Sequence, residues 1–282
     1  MVLLLMRRRT WLSRAIRRLG AGGVWLAGVR AARATTGTTL RVAAASDLKF
    51  VLTQLIARFQ HETGLAVEAS FGSSGNFSSQ IRQGLPVDLF MSADESWVEQ
   101  LAQAGFTRRL PGAGADGRDR GVIYGHGRIA LYVPRESTLQ LDPALSGLRS
   151  GWPRVHKFAI ANPEHAPYGR AARQALERLG MWDLVRPKLV LGENIAQATQ
   201  FVATGAAQAG ITAFSLALAP EVAARGRHVA LPATLHEPLR QRMVLTRTAA
   251  PHARQLYDFL QTGPARELFK KFGFEYQDAG PP

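Results

Sequence analysis

Short apolar stretches with strand character alternate with longer amphipathic stretches along most of this 282-residue chain. The stretch LRVAAAS, residues 40–46, predicts a strand, and residues 47–64 predict a helix that ends at Gly64. LAVEASF, residues 65–71, and VDLFM, residues 87–91, continue the pattern. Because regular βα alternation is typical of sheets with helices on both faces, the sequence predicts an α/β fold. A chain of this length can bury a large core, and two domains are expected.

The second half of the chain continues this alternation. Five more strands are predicted in RIALYV, KFAIA, KLVL, AGITAF and MVLT, and two helices around ARQLYDFL and ARELFKKF end the pattern. The glycine-containing stretch DGRDRGVIYGHG, residues 116–127, is interpreted as the approach to a hinge.

The formal charge of +14 suggests nucleic-acid binding at first sight. Residues 1–34 hold eight arginines and no acidic residue, so more than half of that charge lies in this one segment. The remaining arginines are scattered, and no stripe of basic residues with interleaved aromatic residues is present in the sequence. The pattern therefore argues against a nucleic-acid partner. The absence of cysteine excludes disulfides and thiolate metal sites.

The first 34 residues have the pattern of an export signal. A basic region that includes Arg7, Arg8 and Arg9 precedes the short apolar run LGAGGVWLAGV, and ARA at residues 32–34 fits a cleavage site. Eleven apolar residues are too few to span a bilayer. The sequence predicts a signal peptide over residues 1–34 and a periplasmic protein. A disordered basic tail and a retained membrane anchor are the alternatives.

Four predicted junctions between a strand and the following helix share a polar, largely uncharged character. They are AAASDL, FGSSGN, NPEHAPYG and GENIAQA. Helix N-termini present unpaired N–H groups and a partial positive charge, and they bind anions without lysine or arginine. Serine is also a common helix cap, so each junction alone has a purely structural explanation. Four such junctions in one chain favour a shared anion-binding site.

Enzymatic patterns are weaker. The sequence contains no GxSxG, P-loop or HExxH motif, and its seven histidines show no metal-ligand spacing. A secreted serine hydrolase with Ser46 or Ser74 as nucleophile stays open as an alternative, although no base stands at a recognisable spacing.

Six stretches in this order, AAASDL, FGSSG, PVDLFMSAD, ANPEHAPYG, LGEN and YDFL…ARELFKKFGF, resemble the periplasmic molybdate-binding proteins of ABC importers. The resemblance runs from about residue 39 to 275 and is specific only when the motifs are taken together. It implies a two-lobed periplasmic-binding-protein fold (type II), with mostly parallel sheets flanked by helices and two crossover strands. Lobe one is expected over residues 38–124 plus 241–282, and lobe two over 125–240.

The resemblance also implies an oxyanion held between the lobes by neutral donors. The family pattern carries over to Ser46, Ser74, the position of Tyr168 and the backbone at Ile195. Many members have alanine where Tyr168 stands and a binding tyrosine at a strand end that here reads GITA, with Ala213 in its place. Another branch resembles this chain in carrying the tyrosine in APYG. The hydroxyl donor is therefore expected to come from a different loop of lobe two.

Asp47 and Asn194 complete the predicted ligand-binding set. The sequence does not decide whether each contacts the ligand through its side chain or its backbone. Asp47 follows Ser46 at the head of a predicted helix, and a carboxylate would repel an anion. We therefore expect its side chain to cap the first helical turn while its amide faces the site.

The function implied by the resemblance is capture of molybdate, or of tungstate, and delivery to an ABC permease in the inner membrane. The ligand is an oxyanion, so no cofactor, haem, nucleotide or metal cation is expected, and neither is catalysis. A monomer is expected. A binding protein for another oxyanion such as sulfate, or for a ferric complex, is the alternative within the same fold, although the lack of paired tyrosines argues against direct ferric coordination.

Overall fold

The computed structural model describes residues 39–109 and 117–276, and the predicted export signal lies outside them. This part of the chain holds ten strands: β1 Leu40–Ala45, β2 Val67–Gly72, β3 Leu89–Ser92, β4 Val122–Gly127, β5 Ile129–Pro134, β6 Phe158–Ala161, β7 Leu189–Gly192, β8 Ala209–Ala213, β9 Gly226–Ala230 and β10 Leu239–Leu245. It also holds eleven α-helices: α1 Lys49–Thr63, α2 Ser74–Arg82, α3 Glu95–Gln103, α4 Ser146–Ser150, α5 Pro167–Arg178, α6 Trp182–Val185, α7 Ile195–Ala203, α8 Phe214–Ala217, α9 Pro220–Ala223, α10 Ala253–Phe259 and α11 Gly263–Lys271.

The strands form two five-stranded sheets. The first has the order β2-β1-β3-β10-β4, and the second has the order β7-β6-β8-β5-β9. In the first sheet β1 runs parallel to β2 and β3, whereas β10 runs antiparallel to β3 and β4. In the second, β6 runs parallel to β7 and β8, whereas β5 runs antiparallel to β8 and β9. The predicted α/β class is confirmed, with sheets that are mixed rather than mostly parallel.

The chain passes between the sheets twice. It leaves the first sheet between β4 and β5 and returns between β9 and β10. We call the described residues up to Gly127 and from Leu239 onward the first region, and Ile129–Ala230 the second region. Each sheet is therefore built by one region, with the two connections as the only described passages of the chain between them.

Helix α1 shows how the apolar pattern specifies the packing. Its buried residues are Val51, Leu52, Leu55, Ile56 and Phe59, which recur at helical spacing and pack against the first sheet. Burial of side chains of this size stabilises the fold by about 1.5–3 kcal/mol each. The helix ends as predicted at Gly64, whose φ of 72° is left-handed and whose N–H donates to the Gln60 carbonyl over 2.9 Å.

Parallel pairing brings the helix starts together. Ala45 lies beside Gly72 at the ends of β1 and β2, and Ala161 lies beside Gly192 at the ends of β6 and β7. The segments that follow these four strand ends are the four polar junctions identified in the sequence. Carboxyl ends of parallel strands share one edge of a sheet, which is where α/β proteins place their ligands.

Two local predictions differ from the structure. The expected hinge approach at 116–127 contains β4, and β9 was not predicted, since both strands contain glycine, a residue that is uncommon in strands. Helix α5 begins at Pro167, because proline fits the first helical position, where no N–H is needed. Tyr168 therefore lies within the first turn. Among the described helices, none has the length and apolar character needed to cross a bilayer.

Candidate functional site

Residues from both regions line a pocket whose empty space, counted together with open solvent at its mouth, is about 180 Å³. It lies where the helix starts of the two regions face each other. Its lining residues are mostly small or neutral: Ala45, Ser46, Asp47, Gly72, Ser73, Ser74, Ala93, Ala166, Pro167, Tyr168, Asn194 and Ile195. All six residues predicted to bind a ligand are in this set. The lining contains no lysine, arginine or histidine, and Asp47 is its single carboxyl group.

Two serine hydroxyl groups of the first region line the pocket. Ser46 begins a short 3₁₀ turn, Ser46–Leu48, and its Oγ accepts a hydrogen bond from the Ala196 N–H of the second region over 3.2 Å. Ser74 is the first residue of α2, and its Oγ accepts from the Ala93 N–H over 3.0 Å. A hydroxyl oxygen that accepts a bond can still donate its hydrogen, so both serines are able to donate to a ligand.

The second region contributes two helix starts. Ile195 begins α7, whose cap is Asn194; the Asn194 side chain accepts from the Gln197 N–H over 3.1 Å. Asn194 is therefore a capping residue whose side-chain oxygen is occupied. The Ile195 N–H has no carbonyl partner within its own helix, as is general for the first helical residue. Pro167 begins α5 and places Tyr168 beneath the pocket, where the tyrosine is 2% exposed.

The carboxylate of Asp47 lies in a buried hydrogen-bond network rather than in a cap. Its Oδ2 accepts from the Tyr168 hydroxyl over 3.0 Å and from Gln241 Nε2 over 2.8 Å. The same Gln241 nitrogen lies 2.9 Å from the Tyr168 oxygen, and Gln241 Oε1 accepts from the Tyr124 hydroxyl over 2.8 Å. Asp47 makes no capping bond to the 3₁₀ turn, so the prediction of a capping carboxylate is wrong. The carboxylate instead accepts charge-assisted hydrogen bonds from two buried side-chain donors, and such bonds are stronger than bonds between neutral groups.

Burial changes the acidity of this network. The pKa of Asp47 is raised from 3.8 to about 6 because burial disfavours the charge, although the bonds from Gln241 and Tyr168 partly offset that effect. Burial and the nearby Asp47 charge raise the pKa of Tyr168 well above its usual range. Burial likewise raises the pKa of Tyr124. Both tyrosines therefore keep their hydroxyl hydrogens. Asp47 Oδ1 is buried, and no described residue forms a hydrogen bond with it.

Contacts across the rim of the pocket join the two regions. Ser73 caps α2 and lies 2.9 Å from His165 Nδ1, and the Gly75 N–H donates to the His165 carbonyl over 3.0 Å. Asn76 donates through Nδ2 to Glu193, whose other oxygen lies 3.8 Å from His165 Nε2. A Cβ atom at Gly75 would stand 2.7 Å from the His165 carbonyl oxygen, so this close approach requires glycine.

The row Ser73, His165 and Glu193 resembles a hydrolase triad in composition only. The Ser73 Oγ is occupied as the cap of α2, where it accepts from the Asn76 N–H over 3.3 Å. The distance from His165 to Glu193 is longer than a hydrogen bond. Ser46 and Ser74, the two serines considered as nucleophiles, accept hydrogen bonds from main-chain N–H groups, and no contact to a base is seen for either among the described residues. The geometry is that of a contact between regions and provides no activated nucleophile.

Sequence reasoning missed the groups beneath the pocket. Gln241 is fully buried in β10, and Tyr124 is buried in β4, which was interpreted as part of a hinge approach. The alternation of Leu239, Gln241 and Met243 with exposed Arg240 was the available signal, since it puts a glutamine on the inward face of a strand. Ala213, where many relatives were expected to carry tyrosine, is buried at the end of β8 and does not line the pocket.

Metal-binding side chains are not grouped in the described part of the chain. No set of three or more histidine, aspartate or glutamate side chains there has an arrangement that could hold a metal ion. The donors that converge on the pocket are hydroxyl and amide groups.

Comparison with known proteins gives a consistent picture. Residues 40–275 match the family model of the bacterial extracellular solute-binding proteins. The molybdate-binding protein ModA of Azotobacter vinelandii is 33% identical over 268 residues, which cover 94% of this chain and 98% of that protein. The protein of the same name from Rhodobacter capsulatus is 34% identical over 220 residues, covering 77% and 81%. A solved periplasmic molybdate-binding protein of Azotobacter vinelandii superposes with a TM-score of 0.75 at 31% identity, covering 85% of this chain and all of that one.

Proposed function

This chain belongs to the family of bacterial extracellular solute-binding proteins, and we propose that it captures molybdate, or tungstate, for an ABC importer. The observation that carries the proposal is the convergence of neutral hydrogen-bond donors from both regions on one small pocket. A tetrahedral oxyanion offers four acceptor oxygens, and such donors match it without a formal positive charge. The long, well-covered similarity to molybdate-binding proteins supports the choice of ligand.

The proposed ligand set follows the geometry. Ser46 and Ser74 donate their hydroxyl hydrogens from the first region, assisted by the amides at the helix starts. The Ile195 N–H donates from the second region, and Tyr168 provides its hydroxyl hydrogen when the ligand is bound. Asp47 and Asn194 act through their positions at the pocket: Asn194 caps α7, and the Asp47 side chain holds the Tyr168 hydroxyl.

Closure of two lobes around the ion is the proposed mechanism. The predicted lobes, 38–124 plus 241–282 and 125–240, remain a proposal. The strand pairing favours junctions a few residues away from those limits, between β4 and β5 and between β9 and β10. The rim contacts of His165 and Glu193 with α2 would form only as the lobes meet, and they would thereby exclude water from the ion.

The cellular role follows from this mechanism. The loaded, closed protein would deliver its ion to a permease in the inner membrane, with the predicted signal peptide directing export to the periplasm. We expect it to act as a monomer and without catalysis, cofactor or bound metal cation. The ion is the cargo of the site rather than a resident group.

A ligand screen tests the proposal. We expect molybdate and tungstate to raise the melting temperature of the purified protein, because a ligand that binds only the folded state stabilises it by mass action. Sulfate and phosphate should have much smaller effects, because the size of the pocket discriminates between ions of equal charge and shape. If sulfate or a ferric complex raised the melting temperature most, that compound would be the ligand in place of molybdate.

A matched pair of variants locates the site. Ser74 and Ser78 are both fully buried and lie one turn apart on α2, but only Ser74 lines the pocket. Ser74→Ala should lower molybdate affinity by about 10-fold or more, as expected for a hydrogen bond to a charged group. Ser78→Ala should leave affinity unchanged, since its Oγ makes no hydrogen bond. Equal affinities for both variants would place the ion elsewhere.

A further inference from the structure

Tyr168 has one hydroxyl hydrogen, and two acceptors compete for it. In this structure the hydrogen is donated to Asp47 Oδ2 over 3.0 Å. The proposed function requires the same hydrogen to be donated to an oxygen of the bound ion. A single hydroxyl group cannot make both bonds at full strength, so binding of the ion removes a donor from the carboxylate.

An ionised Asp47 would then be left in an unfavourable state. Its side chain is buried, its Oδ1 has no hydrogen-bond partner, and Gln241 would be its one remaining side-chain donor. It would also face a dianion in the same pocket, of which it is the single carboxyl group. Uncompensated buried charges are costly, and such groups usually neutralise by changing their protonation state.

A protonated Asp47 removes this conflict. Its carboxyl group would donate to the Tyr168 oxygen, which is 3.0 Å away, while the Tyr168 hydrogen turns toward the ion. Gln241 Nε2 keeps its position between both oxygens, at 2.8 and 2.9 Å. The hydrogen bonds then run in one direction, from Asp47 through Tyr168 to the ligand. Each donor in the row has an acceptor.

We propose that the site takes up one proton with its dianion, and that Asp47 holds this proton and passes a hydrogen bond through Tyr168 to the ion. The proposal rests on the proposed function and adds its regulation by pH. The proton comes from water and is added to a carboxylate oxygen of Asp47. No bond within the ion forms or breaks, and the net charge brought into the closed site is one negative charge instead of two.

Among the groups around the pocket, Asp47 is the one that we expect to change its protonation state when the ion binds. Tyr168 and Tyr124 keep their protons, since burial raises the pKa of each well above its usual range. Helices α7 and α8, which contact the Ser46–Leu48 turn, carry no charged residue. The charged groups of the neighbouring elements have other partners or are exposed. On the first region's elements, Arg41, Lys49 and Glu68 are exposed, Arg58 pairs with Glu62, and Arg240 and Arg242 of β10 bind Glu95. On α5, Arg170 binds Asp94, Arg173 pairs with Glu177 and Arg178 donates to the Thr234 carbonyl, while His165 and Glu193 lie at the rim. The raised pKa of Asp47, about 6, means that the ligand-free group is ionised at neutral pH and able to accept the proton.

Calorimetric titration with molybdate measures the number of protons taken up on binding. The binding enthalpy is recorded at pH 8 in several buffers that differ in ionisation enthalpy and contain no tetrahedral oxyanion, Tris among them. We expect uptake of close to one proton per ion at pH 8, decreasing toward zero below the pKa of Asp47. The dissociation constant should accordingly rise by up to about 10-fold per pH unit above that pKa. A binding enthalpy that is independent of the buffer at pH 8 would overturn the proposal.

Three variants separate the possible sources of such a proton. Asp47→Asn should bind molybdate without proton uptake and with an affinity that does not vary with pH, whereas uptake equal to that of the parent would assign the proton to another group. Tyr168→Phe should take up much less than one proton, because the acceptor of the Asp47 proton is gone; full uptake would show that charge repulsion alone is sufficient and would overturn the role of Tyr168.

Glu62→Gln, which removes an exposed acid on α1, serves as the control and should behave as the parent. Absence of any molybdate binding by the parent at all pH values would instead contradict the proposed function.

Discussion

The Tyr168 hydroxyl donates to Oδ2 of Asp47 over 3.0 Å and joins α5 of the second region to the 3₁₀ turn after β1 of the first. Gln241 of β10 bonds to both oxygens, so the contact also includes a strand next to the connection between the regions. The Ser215 hydroxyl adds a bond to the Asp47 carbonyl over 3.0 Å. Asp47, which lines the pocket, therefore bonds to the second region through both its carboxylate and its carbonyl group.

Replacement of Tyr168 by phenylalanine tests the proposed hydroxyl donor. A hydrogen bond to a charged group contributes about 1.5–3 kcal/mol, so molybdate affinity should fall by roughly 10- to 150-fold. The melting temperature should also fall, because the ionised Asp47 loses a buried donor. Calorimetric titration gives the affinity, and thermal unfolding gives the stability.

Tyr132→Phe is the matched control for that variant. Tyr132 is also buried, and its hydroxyl donates to the Val222 carbonyl over 2.7 Å within the second region. Its loss should lower stability without changing affinity. If Tyr168→Phe binds molybdate as tightly as Tyr132→Phe does, Tyr168 makes no bond to the ion.

Asp47→Asn should change how the stability of the ligand-free protein depends on pH. The folded-state pKa of Asp47, about 6, lies above its ordinary value of 3.8, so the folded state binds more protons than the unfolded state between these values. The free energy of unfolding therefore decreases as pH rises from about 4 to about 6, by up to about 3 kcal/mol. Asparagine carries no such charge.

The variant should consequently be more stable than the parent at pH 7 and lose this advantage at pH 4. Urea unfolding at the two pH values measures the difference. A parent that is the more stable of the two at pH 7 would mean that the ionised carboxylate, with its bonds from Tyr168 and Gln241, is favourable in the folded protein.

Chelator treatment tests whether binding depends on a metal cation. The converging donors are hydroxyl and amide groups, which bind an oxyanion directly. Molybdate affinity should therefore be unchanged after dialysis against EDTA. Loss of binding that magnesium, calcium or zinc restores would require a bridging cation and would contradict the direct contacts proposed for Ser46 and Ser74.

Much of the fold and the positions of the pocket residues could be predicted from local patterns. The apolar periodicity of α1 and the glycine at its end determine the helix by short-range physics. The polar junctions were recognisable because parallel strands bring their carboxyl ends to one edge, whatever the rest of the fold. Pairing such edges from two sheets required the resemblance to a known family.

The orientation of the side chains could not be predicted in the same way. Asp47 follows a strand and precedes a helix, and by local rules it is a cap. Its real partners, Tyr168 and Gln241, lie 121 and 194 residues away in the sequence. Only the folded chain shows that a glutamine on β10 stands beneath the pocket. Strand β4 was missed for a related reason, since its partner strand β10 lies more than a hundred residues further along the chain.

The added methyl group of Gly75→Ala should keep the two regions apart at the rim of the pocket. The added Cβ would lie 2.7 Å from the His165 carbonyl oxygen, closer than such atoms approach in folded proteins, and 3.0 Å from the Trp97 ring, which is also tight. Relief of this overlap requires the regions to separate at the rim, which breaks the bond from the Gly75 N–H to His165.

Overpacking of this kind typically costs about 1–3 kcal/mol. Closure is proposed to form these contacts, so we expect molybdate affinity to fall by roughly 5- to 150-fold, with a faster release rate. Gly263→Ala, where nothing lies within 4 Å of the added atom, should bind as the parent does. Stopped-flow release and small-angle X-ray scattering with saturating molybdate measure the two effects, and a Gly75→Ala protein that closes and retains its ion like the parent would show that this rim contact has no part in closure.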